Sequence, residues 1–246
     1  MRFTNFVVNP AAINDLFVHI DASDIRTMHR YSDQAWGIEA QVAAPEYCYV
    51  KSGLATIDND AGRYCLALNS SGIAFRNHNA REWNFMLGGE DFTLAIVSKH
   101  QDTLNNDLVL LNTTGWSGGI KISITKDMHL KWIYYVGKQR IASCTTPLIG
   151  SMRTFTILII RYRAHDRSLT IDVNGIRSET TLRKTPYDVS ARVVNSARPS
   201  IHMSDDKMAI SRFGELIVWK RRLSETEHNI VMRELKRKWN TITLTK

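Results

Sequence analysis

Aromatic rings set among polar, turn-forming residues are the groups in this sequence best placed to do chemistry, and that chemistry would be saccharide recognition. A sugar stacks its C–H face on an aromatic ring while nearby amides and carboxylates fix its hydroxyls. Trp116 lies in Asn112-Thr-Thr-Gly-Trp-Ser-Gly-Gly119, a polar, glycine-rich loop. It reads as a ligand or partner contact, with a packed loop anchor and incidental exposure as the alternatives. Asn112 offers an amide at the start of the same loop. Trp83, after Asn77-His78-Asn79, is a second ligand candidate, although packing in a strand explains it well. Trp36 has a similar standing.

Metal chemistry has less to build on. Asp21 and Asp24 flank a strand end, and their hard oxygens would suit Ca²⁺. The same residue type forms Asx turns, which is the preferred reading. Asp58-Asn59-Asp60 is a compact acidic loop without the staggered donors of an EF-hand. Ca²⁺ is the one cofactor such segments would suit; no metal ligand is assigned and no other cofactor is expected. The eight histidines form no His-x-His or His-Glu-x-x-His pair, so a zinc site would need distant strands to converge. Cys48, Cys65 and Cys144 are odd in number and widely spaced, with no Cys-x-x-Cys. They read as small apolar fillers.

Catalytic patterns are missing as well. No Gly-x-Ser-x-Gly surrounds a serine. A glycoside hydrolase needs paired carboxylates across a groove, and no Glu-x-Asp-x-x-Glu run is present. Glu225 and Glu227 alternate by two but belong to a helix cap. No catalytic residue is assigned, and the chain is expected to be non-enzymatic.

The formal net charge is +8, and its location matters more than its size. Lys220 to Lys246 holds Lys220, Arg221, Arg222, Arg233, Lys236, Arg237, Lys238 and Lys246 against Glu225, Glu227 and Glu234. One basic surface is implied rather than a general polyanion binder. Arg221, Arg222, Arg233, Lys236 and Arg237 are the candidate partner-binding residues, a solvated basic face being the alternative. Arg and Lys lack the aromatic interleaving suited to base stacking, so nucleic acid is disfavoured.

The elements that must position these residues are mostly strands. An apolar fraction of 43% over 246 residues allows a sizeable core. Period-two runs recur: Leu16 to Ile20, Ile38 to Val50, Arg63 to Asn69, Trp83 to Leu87, Asp91 to Lys99, Leu108 to Leu111, Gly119 to Ile124 and Met128 to Val136. Phe3 to Val8 is a further short run, and Ser70-Ser71-Gly72 reads as a turn. Met152 to Arg163 is apolar on both faces, which predicts an inner strand. Asn174-Gly175 marks a tight hairpin between Ser168–Val173 and Ile176–Thr181. Lys184 to Arg198 reads as a loop with at most a short helical turn. Arg212 to Lys220 is the last strand. Ser224-Glu-Thr-Glu227 then forms a capping box, and Val231, Leu235 and Trp239 give a helix over about 224–239 one apolar stripe.

Short strands with turns every eight to twelve residues favour a sandwich over βαβ units. The expected fold is all-β: a two-sheet antiparallel β-sandwich with one C-terminal α-helix, in a single domain spanning 1–246. The N-terminus makes a poor secretory signal, and no stretch approaches a membrane span. A soluble chain made in the cytoplasm, with no membrane insertion, is therefore expected.

Gly214-Glu215-Leu216-Ile217-Val218-Trp219, then Arg222-Leu223-Ser224-Glu225-Thr226-Glu227, then Leu235-Lys-Arg-Lys238-Trp239, resembles the C-terminal signature of concanavalin A-like, laminin G-like jelly-roll domains. Val18-His19-Ile20-Asp21-Ala22-Ser23-Asp24 is similar to the Trp-Leu-Asp-Ala-Ser-Asp opening of that group, with His19 where Trp is usual. Phe92 to Lys99 and Leu169 to Gly175 match its middle strands. The resemblance implies two twisted antiparallel sheets packed face to face. It also implies a structural or assembly role, in a virion as a capsid decoration, tail or fibre component. The partners would be other structural proteins or copies of the chain itself. A carbohydrate-binding module for surface glycans is the alternative.

Overall fold

Alternating side chains dictate the layers of this molecule. The computed structural model describes residues 9–32, 35–39, 47–60, 62–75, 80–100, 107–147, 154–189, 194, 200–204 and 210–239. In chain order the strands are β1 (Leu16–Asp21), β2 (Met28–Ser32), β3 (Ala35–Glu39), β4 (Tyr47–Asp60), β5 (Arg63–Phe75), β6 (Phe92–Lys99), β7 (Leu108–Asn112), β8 (Gly118–Ile124), β9 (His129–Val136), β10 (Gln139–Pro147), β11 (Thr156–Arg163), β12 (Ser168–Val173), β13 (Ile176–Thr181), β14 (Ser200–Ser204) and β15 (Ile210–Trp219). A one-turn helix, α1 (Pro186–Val189), and the C-terminal α2 (Glu225–Trp239) complete the helices used below.

One antiparallel layer runs β13-β12-β11-β6-β15, with β1 on the far edge of β15. The other runs β10-β9-β8-β7-β14 and continues through β5 and β4 to β3 and β2. The long β4–β5 ribbon belongs to both. Leu66 to Asn69 pair with β15, whereas Ile73 and Ala74 pair with β14. Register shifts between Val50 and Leu54 mark where the ribbon bends from one layer to the other.

Leu94, Ile96, Leu158, Ile160, Leu216 and Val218 from one layer meet Ile120, Ile122, Leu130, Trp132 and Tyr134 from the other. The opposite face of the first layer is apolar too. Ala95, Val97, Ile157, Ile159, Ile217 and Trp219 lie under Val231, Met232, Leu235 and Trp239 of α2. Strand β11 is therefore covered on both sides, which explains its unbroken apolar sequence. Each buried Val or Leu of the α2 stripe stabilises the docked helix by roughly 1.5–3 kcal/mol. The capping box forms as the spacing predicts: Ser224 Oγ accepts from Glu227 N at 3.3 Å, and Glu227 Oε2 accepts from Ser224 N at 2.9 Å.

Two expectations fail. Trp83 to Leu87 is not a strand but part of a 3-10 helix, Ala80–Leu87. Its Trp83, Phe85, Met86 and Leu87 close one end of the core, a clustering that period-two counting cannot distinguish over so few residues. Ser70-Ser71-Gly72 is not a turn. Strand β5 continues through it, with β4 pairing on either side at Gly72 and Asn69 and a register shift between them. The loop expected over 184–198 contains α1; beyond Val189 only residue 194 of it is described. Phe3 to Val8, Asn77 to Asn79 and Thr241 to Lys246 lie outside the described residues.

Candidate functional site

The hairpin ends of the second layer form the candidate site. Strand β8 starts at Gly118, which pairs with Val136 at the end of β9. The β7–β8 loop and the Gly137–Lys138 turn into β10 therefore lie side by side. The loop is tied down by its own polar groups. Asn112 Oδ1 accepts from Thr114 N at 2.9 Å and from Thr114 Oγ1 at 2.7 Å. Thr113 Oγ1 accepts from Ile120 N at 3.1 Å. Gly115 N donates to Gly118 O at 3.2 Å, and Gly137 N donates to Ser117 O at 3.0 Å, stitching the two turns together.

On top of this locked loop, Trp116 is 83% exposed. Lys138 Nζ sits 5.0 Å from the centre of its ring. Such a cation–π contact orients the indole without hiding it. Ladder register sets the neighbours. Gly119, Tyr135 and Arg140 form one cross-strand row, and Lys121, Ile133 and Ser143 the next. Since Ile120, Ile122, Trp132 and Tyr134 fill the core, alternation puts Lys121, Tyr135 and Arg140 on the outer face. Arg140 is exposed; Lys121 and Tyr135 are half-buried. An exposed indole with one cation over its ring and two more on the same outer face can stack a ring and bind a polar substituent beside it.

The other expected ligand residues take different roles. Asn112 shapes the loop through its carbonyl oxygen. Trp83 is fully buried, with Phe17 and Phe75 edge-on at 5.3 Å each. No face of its ring is open to a sugar, because its helix aims it into the core. The side chain of Trp36 lies outside the described residues.

Most of the basic set is engaged within the chain. Arg221 donates from both terminal nitrogens to Glu227 at 2.9 and 2.6 Å. Arg222 donates to Thr170 Oγ1 at 3.0 Å. Arg233 and Arg237 both reach Glu234, at 3.3 and 2.9 Å. Lys236 places its amine over Gly175. Arg221, Arg233 and Arg237 are thus paired with carboxylates of the same segment, while Arg233 and Arg237 remain exposed.

The acidic segments are also paired. Asp58 accepts from Arg212 at 2.7 Å and Asp60 from Lys99 at 2.6 Å. Asp24 binds Arg26, and Asp21 Oδ1 accepts from Ser23 N and Oγ in the expected turn. His19, Asp21 and Glu215 converge closely enough to hold a metal ion. They line a cleft of about 200 Å³ with Glu234, Arg237 and Lys238. Lys238 already fills the cationic role there, 2.6 Å from Asp21 Oδ2 and 2.7 Å from Glu215 Oε2. Glu215 also accepts from His19 Nε2 at 2.7 Å and Trp239 Nε1 at 2.8 Å. Burial pushes the Glu215 carboxyl up, but the hydrogen bond from His19 and the charge of Lys238 outweigh it and hold it down to about 2. This cluster fastens the end of α2 to β1 and β15. A second cluster fastens its start: buried His228 lies 3.0 Å from Asp172, and Arg161 donates to Glu225 at 2.6 Å. Sequence reading missed both clusters, whose bonded members stand up to 217 positions apart. The alternation of His19 with Asp21 was the only local sign. Cys65, as expected of a filler, is buried, and burial pushes its thiol up to about 12.

No family model matches the sequence, and no curated protein matches it. Solved structures do. A binding domain of botulinum neurotoxin DC in complex with SialylT aligns with a TM-score of 0.67 at 10% identity, over 90% of this chain and 52% of that one. A binding domain of the same toxin in complex with rat synaptotagmin II gives 0.67 at 10%, again over 90% and 52%. The binding domain of serotype D gives 0.64 at 12%, over 89% and 51%. The chain spans about half the length of these structures. At such identity the likeness is one of fold: a lectin-like, two-sheet antiparallel β-sandwich. These toxin domains lend no support to the phage and virion setting expected from the resemblance.

Among the described residues, no helix is long and apolar enough to cross a membrane.

Proposed function

We propose that this chain is a non-enzymatic binding module that recognises a saccharide at the Trp116 tip. The observation that carries the reading is a large indole held 83% exposed on a loop whose backbone is fixed by hydrogen bonds. An exposed tryptophan on a fixed support costs little to order when a ligand arrives, so more of the stacking energy appears as affinity. Glycan and receptor complexes of the structural neighbours agree with a binding role for the fold, without specifying the ligand.

An assembly role through the basic helix is the second reading, supported by the exposed Arg233 and Arg237. The test is a glycan array probed with the intact chain and with Trp116→Ala. Hits that vanish in the variant support the reading. An array without hits, or hits indifferent to the substitution, overturn it.

A further inference from the structure

The charge around the tip narrows the ligand. Residues 108–147, which build β7 to β10, carry Lys121, Lys126, Lys131, Lys138 and Arg140 against the single acid Asp127. Asp127 lies in the β8–β9 turn, where it and Lys126 sit at the opposite end of the strands from Trp116. Lys138 lies over the ring; on the outer face of the same hairpins Arg140 stands opposite Tyr135 and Lys121 one row further along. None of these three cations appears in an ion pair among the described residues, unlike the arginines of α2. Gly119 adds no side chain to the row it shares with Tyr135 and Arg140, and the backbone of Thr113 and Thr114 in the Trp116 loop packs in the place a side chain would take.

From this we infer that the ligand is an acidic saccharide, whose ring stacks on Trp116 while its sulfate or carboxylate groups lie against Lys138 and Arg140. The inference rests on the saccharide reading and goes beyond it. A neutral sugar would leave the cations with no counter-charge, and among the described residues β7 to β10 place no carboxylate at this end of the strands, while Asp188 of α1, which packs near β9, is paired with Arg167 at 3.4 Å. An anionic membrane surface matches the charge less well. The loop around Trp116 is otherwise Thr, Gly and Ser, and one indole gives too little apolar area to insert stably.

The experiment is calorimetric titration of the intact chain with three hexasaccharides: heparin-derived (sulfated), oligogalacturonate (carboxylated) and cellohexaose (neutral). Vesicles containing roughly 30% phosphatidylserine form a fourth arm. At least one acidic hexasaccharide is expected to bind about 10-fold more tightly than cellohexaose, a difference that shrinks in high salt. Lys138→Gln and Arg140→Gln should each weaken the acidic ligand several-fold, and Trp116→Ala should abolish binding. These residues are exposed, so thermal melts should show the variants folded. Equal binding of cellohexaose, unmoved by Lys138→Gln, overturns the inference and leaves the saccharide reading standing. Acidic ligands bound equally well by Trp116→Ala and Lys138→Gln overturn both at this site. Trp116-dependent binding of vesicles with no saccharide bound assigns the tip to membranes and overturns both. Failure of every arm overturns the inference, and the array then decides the broader reading.

Discussion

Trp239 packs its indole against Gly214, where a Cβ would fall 2.9 Å from the ring. The contact closes the helix onto the sheet at the one residue of β15 where register shifts against β6. Gly214→Ala should therefore push the ring out and weaken docking of α2. The expected loss is about 1–3 kcal/mol, read as a lower urea midpoint with an unchanged slope. An unchanged midpoint would mean that the ring finds another seat at no cost.

Glu215, which accepts the N–H at the edge of that ring, predicts the acid behaviour of the fold. Its folded pKa is depressed from 4.5 to about 2. Its stabilisation is thus complete above its unfolded value and is lost as pH falls through that interval. Glu215→Gln should cost about 3 kcal/mol at neutral pH, because Lys238 and His19 lose their buried counter-charge. It should also flatten the melting temperature between about pH 4.5 and 2 relative to the parent chain. Parallel pH profiles for parent and variant would count against it.

Trp116 and Trp83 should separate function from stability. Trp116→Ala is expected to leave the urea midpoint within about 0.5 kcal/mol of the parent while abolishing ligand binding. Trp83→Ala should cost about 3–5 kcal/mol and affect binding only through lost folded protein. Denaturation curves and titrations on the same samples distinguish the two.

The tip loop offers a subtler probe. Gly119 has φ +149°, and a Cβ there would fall 2.5 Å from the Thr113 carbonyl oxygen. Gly119→Ala should displace the loop that carries Trp116. Affinity is expected to drop about 10-fold or more, while the core tryptophans keep their protection from quencher. Full affinity in this variant would show that loop geometry is irrelevant to the site.

Much of this fold is legible in the residues. Alternation marks β8 and β9, whose Ile120, Ile122, Leu130, Trp132 and Tyr134 share the core face, whereas β6 and β15, like β11, are apolar on both faces. Ser224 and Glu227 announce the start of α2, since cap chemistry is local. The twofold covering of β11 shows as an unbroken apolar run, although the sequence does not say that a helix supplies the second cover. Loop composition pointed to Trp116 because nothing periodic would bury it. Trp83 misled for the reverse reason: a short 3-10 segment has no period long enough to reveal its inward face. The fastening of α2 through His19, Glu215, Asp172 and His228 is set by which distant strands become neighbours. Local pattern carries no record of that.

The β4–β5 ribbon has a mechanical consequence. Strand β5 lends its backbone to both layers, to β15 beside Leu66 to Asn69 and to β14 beside Ile73 and Ala74, so neither layer can peel away without breaking a strand the other also needs. Melting should then proceed in one concerted step. Deuterium uptake at Leu68 and at Ile73, which face different neighbours on the same strand, should report a common opening energy.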